Sequence, residues 1–278
     1  MRAAIRIDGW TCTTLLPHEN PSTLDHKLDC APRGGRSRRQ SFALGRVGSD
    51  GHGCVRQLID MPDSDRLRPV AVQDGRQFSP SAARNCVPIR ELLTRVLPKK
   101  GIVLEIGSGT GEHVVCFAKA LPGLVWLPSD PEGASRTSIE AWATSEGLTN
   151  VRAPVFVDVR EEVWGVEDDA PFDAILSLNM VHVAPWQAAL GLLAGVQRLL
   201  RPDGILFLYG PFMIGGRHTA TTNVTFNADL KRRDPRWGVR DVDDIVREAT
   251  PNGLALREVV EMPGNNLSLV LVKSSCRL

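Results

Sequence analysis

Three glycines set two apart, Gly107, Gly109 and Gly111, lie in Val103-Leu104-Glu105-Ile106-Gly107-Ser108-Gly109-Thr110-Gly111-Glu112, between an apolar run with a β-branched bias and a helical pattern. Glycine at such points lets the backbone turn sharply and lets a ligand approach where a Cβ would clash. The helix that follows directs unpaired N–H groups at that ligand. The chemistry on offer is capture of an anionic group, with Glu105 and Ser108 lining the turn. Asp130 ends the next apolar run, 23 residues after Gly107 (130 − 107), where an acid can accept both hydroxyls of a ribose. The competing use of Asp130 is to cap the helix that follows it. A dinucleotide fingerprint sets its third glycine three residues after the second; here position 112 is Glu and the glycine comes early, at 111.

The elements that must carry these residues read as alternating strands and helices. Ser79 suits the N-cap of a helix whose first residue is Pro80, with apolar positions at Val87, Ile89, Leu92, Leu93, Val96 and Leu97. Strands are expected at 102–106, 124–129, 151–157, 172–178 and 205–209, with helices at about 110–121 and 134–145 and a long one opened by Pro185. Short connections between them call for a mostly parallel sheet covered on both faces, with ligands at the carboxyl ends of the strands. Residues 211–240 break the pattern and hold one short possible helix near 223–233. A helix near 241–250 and strands at 254–261 and 267–273 close the domain, the last two too close for a parallel crossover and therefore a hairpin.

With 33 basic and 32 acidic side chains the net charge is +1, which offers no field for nucleic acid or an anionic membrane and leaves small molecules as the expected partners. The six cysteines, at 12, 30, 54, 86, 116 and 276, form no C-x-x-C pair and follow no secretory segment. They read as reduced thiols in a cytoplasmic protein. No histidine–carboxylate spacing of a metal site occurs. Residues 1–60 lack helical or strand period and include Arg33-Gly34-Gly35-Arg36-Ser37-Arg38-Arg39. They are expected to be disordered or to precede the true start at Met61, leaving 61–278 as the domain.

The glycine spacing resembles the S-adenosylmethionine loop of Rossmann-like methyltransferases, and residues 76–273 resemble one methyltransferase-like family of unassigned substrate. The phrases that carry the second resemblance are Arg76-Gln77-Phe78-Ser79-Pro80 with Arg84-Asn85, Pro128-Ser129-Asp130-Pro131, Asn179-Met180-Val181-His182, Leu208-Tyr209-Gly210-Pro211-Phe212, Asp234-Pro235-Arg236-Trp237-Gly238 and Met262-Pro263-Gly264-Asn265-Asn266-Leu267. The resemblance implies an α/β fold with a seven-stranded, mostly parallel sheet, an antiparallel last strand and helices on both faces. It implies S-adenosyl-L-methionine as cofactor and a small-molecule acceptor.

Under that resemblance the cofactor residues are Arg84, Glu105, Gly107, Ser108, Gly109, Gly111, His113, Asp130, Asp158, Val159 and Asn179. Arg84 would bind the methionine carboxylate through its guanidinium, and His113 would lie near the carboxypropyl tail. Asp158 would accept from the adenine amino group while Val159 and neighbouring apolar atoms pack on the ring. Phe78, His218, Asn223 and Trp237 would shape the acceptor pocket, with 211–240 as a lid. Arg232, Arg233, Arg236 and Arg240 suggest an acidic acceptor unless Asp234 and Asp241 pair with them. His182 is the first choice to take an acceptor proton because its unperturbed pKa lies near neutrality, with Tyr209 second. A catalytically silent cofactor-binding protein and an NAD(P)-dependent oxidoreductase stay open as alternatives.

Overall fold

The computed structural model describes residues 4–7, 10–14 and 70–275. Its centre is β5 (Gly101–Ile106), flanked in parallel by β6 (Leu124–Ser129) and β7 (Phe172–Leu178). Alternate residues of β5 enter opposite cores: Val103 packs toward α1 (Pro80–Val96), α2 (Glu112–Ala120) and α3 (Gly133–Ser145), and Leu104 toward α4 (Trp186–Leu199) and α6 (Val242–Ala249). A strand covered on both faces is apolar at nearly every position, which is why this one reads as an apolar run interrupted only by Glu105. Each fully buried aliphatic side chain in these cores, Leu93 and Leu104 among them, stabilises the fold by about 1.5–3 kcal/mol relative to exposure.

Beyond β7 the sheet continues through β8 (Leu200–Gly210), in parallel, and then β12 (Asn266–Lys273), antiparallel to both β8 and β11 (Leu254–Met262). The terminal hairpin and its antiparallel strand are as expected. Residues 101–273 supply six strands, however, where seven were expected. Residues 151–157 make only isolated bridges, Val151 to Trp126 and Val155 to Ser129. Pro128 on β6 and Pro154 opposite it have no N–H to donate, so a continuous ladder cannot form there. At the other edge β1 (Ala4–Ile7) and β2 (Trp10–Thr14) extend the sheet to eight strands, with β2 parallel to β11. Little structure was expected over 1–60, and these two strands are an addition to that reading. The Arg-rich run at 33–39 and Met61 lie outside the described residues.

A short hairpin of β3 (Val70–Ala71) and β4 (Gln77–Phe78) leads into α1, whose cap is as expected: Ser79 Oγ accepts from Ala82 N at 3.4 Å. The stretch after β8 holds a second small hairpin, β9 (Met213–Ile214) with β10 (Arg217–His218), and α5 (Thr221–Arg233). The reading of six reduced thiols fails for two. Cys86 on α1 and Cys116 on α2 are joined as a disulfide, with Cα atoms 6.6 Å apart. A separation of 30 residues carries no sequence signal for this; the side-by-side packing of α1 and α2 creates the pair. Among the described residues no helix is long and apolar enough to cross a membrane.

Candidate functional site

All three loop glycines have positive φ, 69° at Gly107, 57° at Gly109 and 90° at Gly111, a region that L side chains enter at a cost. Their surroundings differ. A Cβ on Gly111 would stand 2.8 Å from Ile139 Cα, so Gly111 lets α3 approach, whereas a Cβ on Gly109 would meet nothing within 4 Å. The open side of the loop is therefore at Gly109, beside Asp130. Asp130 Oδ2 accepts from Gly109 N at 2.9 Å and Oδ1 from Glu132 N at 2.9 Å, so the acid holds the loop and the entry to α3 together. Each oxygen makes one of these bonds, and the Ser135 side chain is a further hydrogen-bond partner; a carboxylate with about four acceptor positions retains capacity for another contact. Burial raises the Asp130 pKa above the usual carboxylate value.

Ser108 is part of the same frame. Its N–H donates to Ser129 O at 2.9 Å, and its Oγ accepts from Ser129 N at 3.2 Å and lies 3.3 Å from Glu105 O. The Glu105 side chain is buried with Oε2 unpartnered, and burial pushes its pKa up to about 7. An incoming cation or N–H donor would relieve that cost.

The segment before α1 is strapped across the loop. Ser79 N donates to Glu112 Oε2 at 2.5 Å and Thr110 Oγ1 to the same oxygen at 3.0 Å. Ser138 Oγ receives Gln77 N at 2.8 Å and donates to Thr110 O at 2.7 Å, while Trp142 Nε1 donates to Gln77 O at 2.9 Å. Phe78 belongs to this strap: it is buried edge-on against Trp142 with ring centroids 4.9 Å apart. Its ring packs within the strap, beside the glycine loop. Arg84, exposed on α1, makes no hydrogen bond or ion pair among the described residues, and its charge acts on the Tyr209 hydroxyl. His113 stacks on Phe117 with Nε2 unpartnered, and burial lowers its pKa to about 4.

At the carboxyl ends of β7 and β8, Asn179 adopts φ 61° and donates its N–H to Tyr209 O at 2.7 Å, a conformation that Asn tolerates better than most residues. His182, in the turn Met180–His182, is fully buried. Its Nδ1 accepts from Arg240 N at 3.1 Å, so Nε2 carries the hydrogen, and Nε2 has no partner. Burial first, and the Arg240 charge second, push its pKa down to about 3. Burial thus works against the expectation that His182 accepts a proton near neutrality. Tyr209 is no better a base: its hydroxyl is 1% exposed with the rest of the residue, accepts from Asn266 Nδ2 at 2.9 Å, and is held protonated by burial.

A neutral buried imidazole links stability to pH. The unfolded chain takes a proton below its ordinary pKa of about 6.5 while folded His182 does not until about 3, so this group lowers stability as pH falls across that window. His182→Asn, whose amide oxygen can still accept from Arg240 N, should flatten the fall of Tm between pH 7.5 and 5. Thermal melts at both values check this, and parallel falls in both proteins would refute it.

Asp158 and Val159 follow the stretch that bridges to β6. Asp158 forms an ion pair with Arg160, whose Nε lies 2.9 Å from Oδ1, and this bond lowers its pKa. Val159 is buried in the α4-side core. Phe156, missed in the sequence, is instead 56% exposed and sits with Arg136 5.7 Å from its ring, while Arg136 donates to Asp130 O at 2.7 Å.

The 211–240 stretch is anchored at two points of the carboxyl edge. Asn223 is buried and donates to Asn265 O at 2.8 Å and to Thr219 Oγ1 at 3.0 Å. Its side chain anchors the stretch to the turn before β12. At the other end Gly238 N donates to His182 O at 3.0 Å, and Arg240 donates to Val181 O and Ala184 O. His218 Nε2 lies 3.5 Å from Asn227 Nδ2, and Trp237 is half-buried. Half of the expected basic patch is ion-paired, Arg232 with Asp229 and Arg236 with Asp234, while Arg240 donates to backbone carbonyls. Glu112, Asn266 and Gly210 were given no role from the sequence, and Arg240 was read only as part of a basic patch. Only Glu112, next to the last loop glycine, carried a positional hint.

The fold is the Rossmann-like fold of methyltransferases. Among similar solved structures are CalO1, a methyltransferase in calicheamicin biosynthesis in SAH-bound form (TM-score 0.56, 18% identity, 70% of this chain and 54% of that one), and the mitomycin 7-O-methyltransferase MmcR (0.60, 13%, 71% and 55%). An O-methyltransferase family protein from Burkholderia thailandensis is a third (0.59, 14%, 81% and 69%). The chain thus spans a little over half the length of the first two. Residues 76–273 match the family model described as "Protein of unknown function (DUF938)", and the chain belongs to that family.

Proposed function

We propose that the chain is an S-adenosyl-L-methionine-dependent methyltransferase acting on a small molecule. The observation that carries the reading is the glycine loop at the end of β5, open at Gly109 and clasped by Asp130, on a fold shared with a protein solved in SAH-bound form. The chain's residues fit such a cofactor: Asp130 for the ribose, Arg84 for a carboxylate, and the unpartnered Glu105 oxygen for a nearby donor. Phe156, exposed beside Arg136, offers a ring face for a base. When bound, the cofactor supplies an electrophilic methyl group whose positive charge is lost on transfer.

What the chain contributes is positioning and exclusion of water. The strap of Gln77 and Ser79 would cover one side, and 211–240, pinned at His182 and Asn265, would cover the carboxyl edge. Asn179, Tyr209 and the Nε2–H of His182 would orient the acceptor as donors. Neither titratable side chain there is basic near neutrality, which favours an acceptor that reaches the site already deprotonated or that sheds its proton to water. The same observation lends weight to a second reading, a cofactor-binding protein without transfer. An oxidoreductase is disfavoured by the early third glycine and the antiparallel β12.

Calorimetry should give binding heat for S-adenosylmethionine and S-adenosylhomocysteine and none for NAD or NADP. Binding of a nicotinamide dinucleotide with silence from both sulfur cofactors would overturn the reading. Product mass after incubation with labelled cofactor and a metabolite extract separates enzyme from binder.

A further inference from the structure

The Cys86–Cys116 bridge lies apart from the residues assigned above, yet it joins the two helices that frame the glycine loop. We propose that the pair is a solvent-reachable thiol–disulfide site that latches α1 to α2 and so sets how freely the ligand cleft opens. Both cysteines are only partly buried, and they line a groove of about 440 Å³ between α1, α2 and α3 together with Arg90, Glu112, Lys119 and Trp142. The groove carries two cations, Arg90 and Lys119, and two carboxylates, Glu112 and Glu146, so it is open to a small thiol without a strong field of either sign. Arg90 makes no ion pair among the described residues, while Lys119 shares its charge with Glu146 at 2.6 Å.

The groove and the loop have a wall in common. Glu112, which lines the groove, also receives Ser79 N from the start of α1 and Thr110 Oγ1 from the loop. Arg84 lies two residues before Cys86 on α1. A covalent tie at Cys86 therefore fixes the half of the helix that carries both the strap and Arg84, and opening it leaves α1 held by packing, by the Ser79–Glu112 bond at its start and by the Arg95–Glu258 ion pair at its far end. The exchange balances with a small thiol as reductant: a glutathione thiolate attacks one sulfur, the other leaves as thiolate and takes a proton from water, and a second glutathione resolves the mixed disulfide. Two protein thiols and one glutathione disulfide result, and glutathione disulfide drives the reverse.

The latch stands on the geometry alone, whereas its effect on ligand exchange rests on the methyltransferase reading. The test equilibrates the full chain at reduced and oxidised glutathione ratios and alkylates free thiols for peptide mass analysis. Hydrogen exchange over residues 80–93 is followed in both states, with S-adenosylhomocysteine dissociation alongside. Oxidation should protect Cys86 and Cys116 together, and reduction should speed α1 amide exchange by about threefold or more and ligand dissociation by a similar factor. Cys86→Ser and Cys116→Ser should each remain in the fast state at every ratio. Free alkylation of both cysteines throughout, or α1 exchange indifferent to the ratio, would overturn the latch. Redox-dependent α1 exchange without homocysteine-product binding in either state would keep the latch and sink the methyltransferase reading.

Discussion

Asp130→Ala is expected to weaken S-adenosylhomocysteine binding by about 10- to 150-fold, or ~1.5–3 kcal/mol, the usual cost of removing a charged acceptor from a buried partner. The carboxylate does two jobs in the structure, accepting from Gly109 N and Glu132 N, so part of the loss arises from slackening of the loop itself. Calorimetry on the folded protein separates the two when read beside a thermal melt. Asp130→Asn keeps one amide oxygen to accept from Gly109 N and should retain more stability than affinity. Should affinity persist in the folded fraction of Asp130→Ala while Tm falls, Asp130 is a clasp and not a ribose ligand.

Gly210→Ala is the second large effect, and its cause is space. A Cβ there would stand 2.2 Å from His182 Nε2 and 3.5 Å from Asn179 Oδ1. His182 cannot retreat easily, because Nδ1 is held by Arg240 N and its ring meets Phe212 edge-on at 4.5 Å. The added methyl must displace the imidazole, and with it the Gly238–Arg240 anchor of the 211–240 stretch. Overpacking of this kind costs about 1–3 kcal/mol, a Tm drop of roughly 3–10 °C for a domain of this size. Turnover of an identified acceptor should fall further than cofactor affinity, because the displaced groups lie at the acceptor edge. Combining Gly210→Ala with His182→Ala should recover part of the stability, giving a coupling energy above about 0.5 kcal/mol in a double-mutant cycle. A Tm unchanged in Gly210→Ala would show that the imidazole has room to move.

Much of the architecture is local and therefore legible in the chain. The Gly107–Gly111 turn, the Ser79 cap, the doubly buried strands and the Pro263-Gly264-Asn265 hairpin each follow from a spacing or a backbone preference that neighbours in sequence share. Even the failure at 151–157 has a local cause in Pro128 and Pro154, visible in the sequence once the two are known to be opposed. Residue type also marked Asp130 and Glu105 as unusual, and both are buried acids with raised pKa values.

What a side chain is free to do depended on partners far away in sequence. His182 reads as a near-neutral base until Arg240, 58 residues on, occupies its Nδ1 and the core removes its water. Phe78 turns away to Trp142, Asn223 is engaged by Asn265, and Val159 faces the core. Cys86 and Cys116 become a pair because two helices lie side by side. Backbone form at the loop is dictated by steric limits within a few residues, which the sequence itself carries. Protonation, hydrogen-bond occupancy and cysteine pairing are set by desolvation and by contacts across the fold, and the packed sheet with its helices decided them.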